Sequence, residues 1–118
     1  MKCSTRQTHF VMIGVIALGV LAVSSAAGAE DSTMVHLSIK DHRFQPAEVQ
    51  VPAAKPVTIE VRNLDATPSE FESKTLRVEK VVTGGGVITL QIRALQPGRY
   101  RFYDDYHEDT TEGFLVVQ

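Results

Sequence analysis

Cysteine is almost missing from this chain: of 118 residues only Cys3 carries a thiol. With no second thiol there is no intramolecular disulfide, so packing alone must hold the folded part together. Thioether sulfur is scarce as well, since Met34 is the sole methionine beyond residue 29. Positive charge is not in excess: Lys and Arg number 12 against 14 Asp and Glu. A chain so balanced has no electrostatic reason to favour nucleic acid or an anionic membrane. Long apolar runs are lacking too. The longest uncharged one, Phe10 to Val23, falls short of the ~20 residues that a membrane-spanning helix requires.

That apolar run has informative flanks. Lys2 and Arg6 precede it, and small residues ending in Ala27-Gly28-Ala29 follow it. Basic, then apolar, then small-x-small is the order of a secretory signal peptide. The expectation is a leader over residues 1–29, cut after Ala29, and a periplasmic or secreted product with no membrane insertion after the cut. Cys3 lies before the apolar stretch rather than at the cut, so it leaves no cysteine to carry a lipid. Residues 30–118 then form a single domain of 89 residues, and the formal charge moves from −2 to −4. A domain of this size buries only ~60–65% of its unfolded surface, so its core must be dense and regular.

Helical periodicity is absent beyond the leader. Alternation takes its place: Val35, Leu37 and Ile39 oppose His36, Ser38 and Lys40, and Val57, Ile59 and Val61 oppose Thr58, Glu60 and Arg62. These are half-buried strands. Val49 and Val51, Leu76 to Val82, Ile88 to Ile92, Tyr100 with Phe102, and 114–117 predict further strands. Turn signals recur between them, at "DHRFQP", "PAAKP", "NLDATPS", Gly84-Gly85-Gly86 and "LQPG". Short strands at such spacing mark an all-β sandwich or barrel. The glycine run is read as a turn, because no lysine or helix start follows it to make a phosphate cradle. No Ser-His-Asp arrangement is legible, so hydrolase chemistry is not proposed.

One segment stands apart. "RFYDDYHEDTTEG", Arg101 to Gly113, places Asp104, Asp105, Glu108, Asp109 and Glu112 around His107. Such a run either keeps a loop solvated or holds a cation, because close carboxylates repel unless a proton or cation intervenes. His36 and His42 are read as surface residues.

In order, the segments "HRFQPAEVQVPAAKPVTIEVRNLD", "TPSEF", "LQPGRYRFYDDYH" and "EGFLVV" resemble the cupredoxin fold, a Greek-key β-sandwich. The resemblance covers nearly all of residues 30–118. In copper-carrying members of that family a His follows the Asn-x-Asp loop, a Cys and a His lie three residues apart after the penultimate strand, and a Met often follows. The matching positions here are Ser69, Asp104, His107 and the Thr110–Thr111 pair. An Asp in place of the thiolate implies that no type 1 blue copper forms, and it favours harder or borderline ions.

More narrowly, "EFES", "LRVEKVV" and "DDYH" are similar to segments of cupredoxin-like domains of bacterial periplasmic iron-uptake systems, the EfeO N-terminal domain and the cupredoxin component of Ftr-type transporters. That resemblance implies an iron or copper ion as cofactor, and metal ligands at Glu70, Glu72, Asp104 and His107, with Asp105 in reserve. It also implies as partners a periplasmic iron-binding protein and an inner-membrane iron permease. Two alternatives stand beside the accessory role: a ferroxidase component that oxidises Fe(II) with bound copper, and a metal-free module that docks partners. Strict alternation adds a detail of register: with Phe71 facing the core, Glu70 and Glu72 share the opposite face.

Overall fold

The computed structural model describes Cys3 and residues 31–118; the remainder of the expected leader, with its cut after Ala29, lies outside the described residues. Nine strands follow in order: β1 (Thr33–Lys40), β2 (Arg43–Gln45), β3 (Glu48–Val51), β4 (Val57–Asn63), β5 (Ser69–Ser73), β6 (Val78–Val82), β7 (Val87–Ile92), β8 (Gly98–Asp104) and β9 (Glu112–Val117). A 3-10 turn at Asp105–His107 is the sole helical element among the described residues. The strands form two sheets, ordered β2-β1-β4-β7 and β3-β9-β8-β5-β6. Most neighbours run antiparallel, but β1 pairs with β4 and β3 with β9 in parallel. The all-β sandwich expected from alternation is the fold.

The alternation explains the layers. In β1, Val35, Leu37 and Ile39 are buried, and in β4 Val57, Ile59 and Val61 join them from the neighbouring strand. The second sheet answers with Phe71, Val82, Phe102, Leu115 and Val117. Burying one such side chain contributes roughly 1.5–3 kcal/mol, the driving force that a disulfide-free domain depends on. β6 departs from the pattern: only Val82 is fully buried in it, and Val81 is exposed, because β6 is the outer strand of its sheet.

Three phenylalanines build the part of the core that supports the site. Phe44 of β2 meets Phe102 of β8 edge-on at 4.9 Å between centroids and Phe71 of β5 at 5.9 Å. Phe71 and Phe102 stack at 5.3 Å. β5 and β8 also carry, within two residues of these phenylalanines, groups of the candidate site, the Glu70–Glu72 pair and Asp104, and His42 lies in the turn just ahead of β2. Gly113 of β9 lets this cluster close, since a Cβ there would lie 2.7 Å from the Ala47 carbonyl oxygen and would overlap the Phe102 ring.

Candidate metal centre

Chain reversals at one end of the sandwich set the geometry. β1 and β2 are joined by a two-residue turn, Asp41-His42, with φ of +50° and +54°. Positive φ at both central positions is the type I′ hairpin turn, usually filled by Asn-Gly because L side chains are strained there. Asp65 holds it: its Oδ1 accepts the Asp41 N–H at 2.8 Å and its Oδ2 the His42 N–H at 3.0 Å. Asp65 is aimed by Asn63, whose Oδ1 accepts the Asp65 N–H and whose Nδ2 donates to the Thr67 carbonyl. The His42 N–H lowers the Asp65 carboxyl below its ordinary range, helped by the Asp41 N–H and by the charges of His42 and His107, against the upward push of burial.

Thr111, fully buried, ties this turn to the acidic segment. Its hydroxyl donates to the His42 carbonyl, its N–H donates to the His107 carbonyl at 2.9 Å, and its own carbonyl accepts the Asp104 N–H at 2.9 Å. Asp104 ends β8 with 0% of its surface exposed. Its Oδ1 accepts the backbone N–H groups of Glu70 (2.9 Å) and Tyr106 (3.0 Å), and its Oδ2 faces His107 Nδ1 at 3.0 Å. A carboxylate accepts, so Nδ1 is the donor in this bond, and in the neutral imidazole the lone pair is then on Nε2. His107, one-third exposed, lies against a second ring: the His42 and His107 centroids are 4.0 Å apart, tilted by 32°.

The outer face of β5 carries a different group. Alternation in this strand is regular, with Ser69, Phe71 and Ser73 buried and Glu70 and Glu72 half-buried on the other side. The 3-10 turn brings Asp105 to them, and one carboxylate oxygen from each of Glu70, Glu72 and Asp105 lies within 4.8 Å of the others. Partial burial raises the Glu70 carboxyl above its ordinary range, and Glu79, Asp105 and Glu72 add repulsion. Glu79 is the register partner of Glu72 on β6. Tyr106 and Tyr103 border the group, and both phenols are raised, first by burial and then by the negative charges beside them, Glu70 for Tyr106 and Glu72 for Tyr103.

The five residues expected as ligands therefore fall into two neighbouring groups. Glu70, Glu72 and Asp105 converge on the outer face, whereas Asp104 and His107 bond to each other at the buried end of β8. Asp104 links the groups, since it holds the backbone of Glu70 with one oxygen and the ring of His107 with the other. Two further carboxylates of the segment are spent on Arg101, which pairs with Glu112 at 2.7 Å and Glu108 at 3.2 Å while stacking on Tyr103. The ≈170 Å³ cavity lined by Lys74, Thr75, Arg101 and Tyr103 is cationic and offers no metal donor set. Sequence reading missed His42 and Glu79. The first sits in a turn 65 residues from His107, and the second enters only through strand pairing. The αL-prone turn position of a histidine between two strands was the one available signal for His42.

The comparisons agree with this architecture. Residues 11–117 match the cupredoxin-like domain family, and the chain belongs to it. It is 40% identical over 83 residues, 70% of its own length and 66% of the other's, to Uncharacterized protein RP394 of Rickettsia prowazekii. Among solved structures it is similar to auracyanin A, a "blue" copper protein of Chloroflexus aurantiacus, with a TM-score of 0.64 and 15% identity over 75% of this chain and 100% of that one. It is also similar to the metal-binding domain of the Cu(I)-exporting P-type ATPase CopA of Streptococcus pneumoniae, with a TM-score of 0.62 and 15% identity over 77% and 99% of the two chains. At such identities these two likenesses concern the fold.

Proposed function

We propose that this protein is an exported metal-binding accessory of iron uptake, similar in role to the EfeO N-terminal domain and the Ftr-type cupredoxin component. The carrying observation is the convergence of Glu70, Glu72 and Asp105, three carboxylates from two segments within 4.8 Å, on a cupredoxin-like sandwich. The donor chemistry fits iron: between residues 31 and 118 there is no thiol, and carboxylate oxygens suit hard or borderline cations such as Fe(III) and Fe(II). Glu70, Glu72 and Asp105 hold the ion, and Asp104 fixes the backbone beneath Glu70 and the ring of His107. Burial first, and then repulsion from Glu79, Asp105 and Glu72, raises the Glu70 carboxyl of the metal-free cluster, and a cation that enters relieves the repulsion. Partners are then a periplasmic iron-binding protein and an inner-membrane permease that receive the ion.

Calorimetric titration with Fe(III), Fe(II), Cu(II) and Zn(II), on the protein and on a Glu70→Gln/Glu72→Gln variant, tests this. Binding in the parent and its loss in the variant is the expected result. No binding tighter than high micromolar to any of the four ions would sink the proposal. A second reading, a ferroxidase component in which a bound Cu(II) would oxidise one Fe(II) to Fe(III) and the resulting Cu(I) would be reoxidised by dioxygen, draws on the adjacent rings of His42 and His107. Fe(II) consumption measured with and without added copper separates the two.

A further inference from the structure

We infer that this protein pairs with a second copy of itself through β7, whose free edge joins the same edge of the other protomer in antiparallel fashion and continues the four-stranded sheet across a two-fold axis. The pairing is independent of the iron reading. Four strands end the two sheets, β2 and β7 in one, β3 and β6 in the other. An end strand presents a row of unpaired backbone groups, which proteins blunt with charge, proline or shortness. Three of the four are blunted in that way. β2 has three residues, Arg43 among them, and Pro46 follows it; β3 has four, with Glu48 inside it and Pro52 after it; β6 carries Glu79 and Lys80. β7, "VITLQI", is six residues long and holds neither charge nor proline, and it closes a stretch from Val81 to Ile92 without a single charge. This edge is unguarded.

The ladder to β4 identifies the groups that are free. The Asn63 N–H donates to the Gly86 carbonyl, and bonded pairs alternate along an antiparallel ladder, so Val61–Ile88, Ile59–Leu90 and Val57–Ile92 are the pairs that exchange hydrogen bonds. The N–H and C=O groups of Val87, Thr89 and Gln91 therefore point away from β4, and no backbone group among the described residues bonds to them. Their spacing is self-complementary. With Thr89 opposite Thr89 of the second copy on the axis, Val87 meets Gln91 of that copy and every outward group finds a partner. The side chains fit the same register. Val87, Thr89 and Gln91 are exposed on the outer face, so the two threonines face each other and Val87 is covered, while Ile88, only partly buried, meets Leu90 of the second copy on the inner face. Arg93, the first charge beyond the strand, falls opposite Gly85, and no like charges meet. A strand that is uncharged and symmetric about its centre is its own complement, which is why the occupant is a second copy. Six residues a side make a small contact, so association is weak and depends on concentration.

Sedimentation equilibrium tests this on metal-free, untagged protein expressed from the full chain, kept reduced so that Cys3 forms no cross-link, from about 1 µM to about 1 mM. The parent is expected to pass from one protomer to two across that range. Glu70→Gln/Glu72→Gln should behave like the parent, because both residues lie in the other sheet, which separates failure of this pairing from failure of the carboxylate site. Thr89→Lys sets two like charges against each other on the axis, whereas within one protomer the lysine faces Glu60 across the ladder and is accommodated. It should stay monomeric at every concentration and melt like the parent at the lowest one. A parent that is monomeric up to about 1 mM, or a dimer that persists in Thr89→Lys, overturns the inference. If Thr89→Lys does not fold, amide hydrogen exchange of the parent decides. Protection that grows with concentration at Val87, Thr89 and Gln91 supports the pairing, and equal exchange at both ends of the range overturns it.

Discussion

Thr111 is the residue whose single side chain joins most of the candidate centre. Replacing its hydroxyl by a methyl in Thr111→Val keeps the volume and leaves the buried His42 carbonyl without its donor. The expected loss is about 1–3 kcal/mol, the cost of an unsatisfied buried group, measured by denaturant unfolding. Glu70 gives a prediction of opposite sign. Its carboxyl is raised in the folded state by burial and then by Glu79, Asp105 and Glu72. A raised acid contributes its stability fully below the unfolded pKa, near 4.5, and that contribution is lost as pH rises through the folded value. Metal-free protein should therefore melt higher as the pH is lowered from 7 towards 5, and Glu70→Gln should flatten that dependence. Saturating cation should raise the melting temperature most at neutral pH, where the cluster is ionised and the ligand competes with no proton.

At the scale of elements, the β1–β2 turn sets stability against site geometry. Asp41 and His42 both occupy the left-handed region, where a residue with a Cβ is disfavoured by roughly 1–2 kcal/mol and glycine is not. His42→Gly is expected to leave the metal-free protein as stable as the parent or up to about 1 kcal/mol more so, which thermal melts check. The turn was legible as a turn, from "DHRFQP", but its consequence for His42 was not. Whether a turn residue points to solvent or across to another loop depends on what Asp65 and Thr111 do, and neither is near it in sequence. β5 shows the reverse case. Strict alternation around Phe71 is enough to put Glu70 and Glu72 on one face, and the strand keeps that alternation without a bulge. β6 explains the missed Glu79: an outer strand with little apolar patterning gives no register until it pairs, Glu72 against Glu79.

For the whole molecule, stability rests on a core without disulfides, and its aromatic knot lies directly under the site. Phe102→Ala should cost about 3–5 kcal/mol, a large share of the ~5–15 kcal/mol that a domain of this kind possesses, with cation binding falling in parallel because β2, β5 and β8 lose their common support. The fold class was carried by local rules. Alternating apolar residues, recurrent turn signals and the missing helical period dictate a sandwich, because each strand must bury one face and the chain has no other core to offer. The acidic character of the end loop was equally a property of the sequence. What only the tertiary structure decided is how the chemistry is divided. Asp104 and Asp105 are adjacent in the chain, yet one closes a buried strand against His107 and the other turns outward to Glu70 and Glu72. The division arises where β8 gives way to the 3-10 turn, so that neighbouring side chains leave the backbone in different directions. His42 reaches His107 only because two sheets meet at that end, a contact set by packing between residues that no local pattern connects.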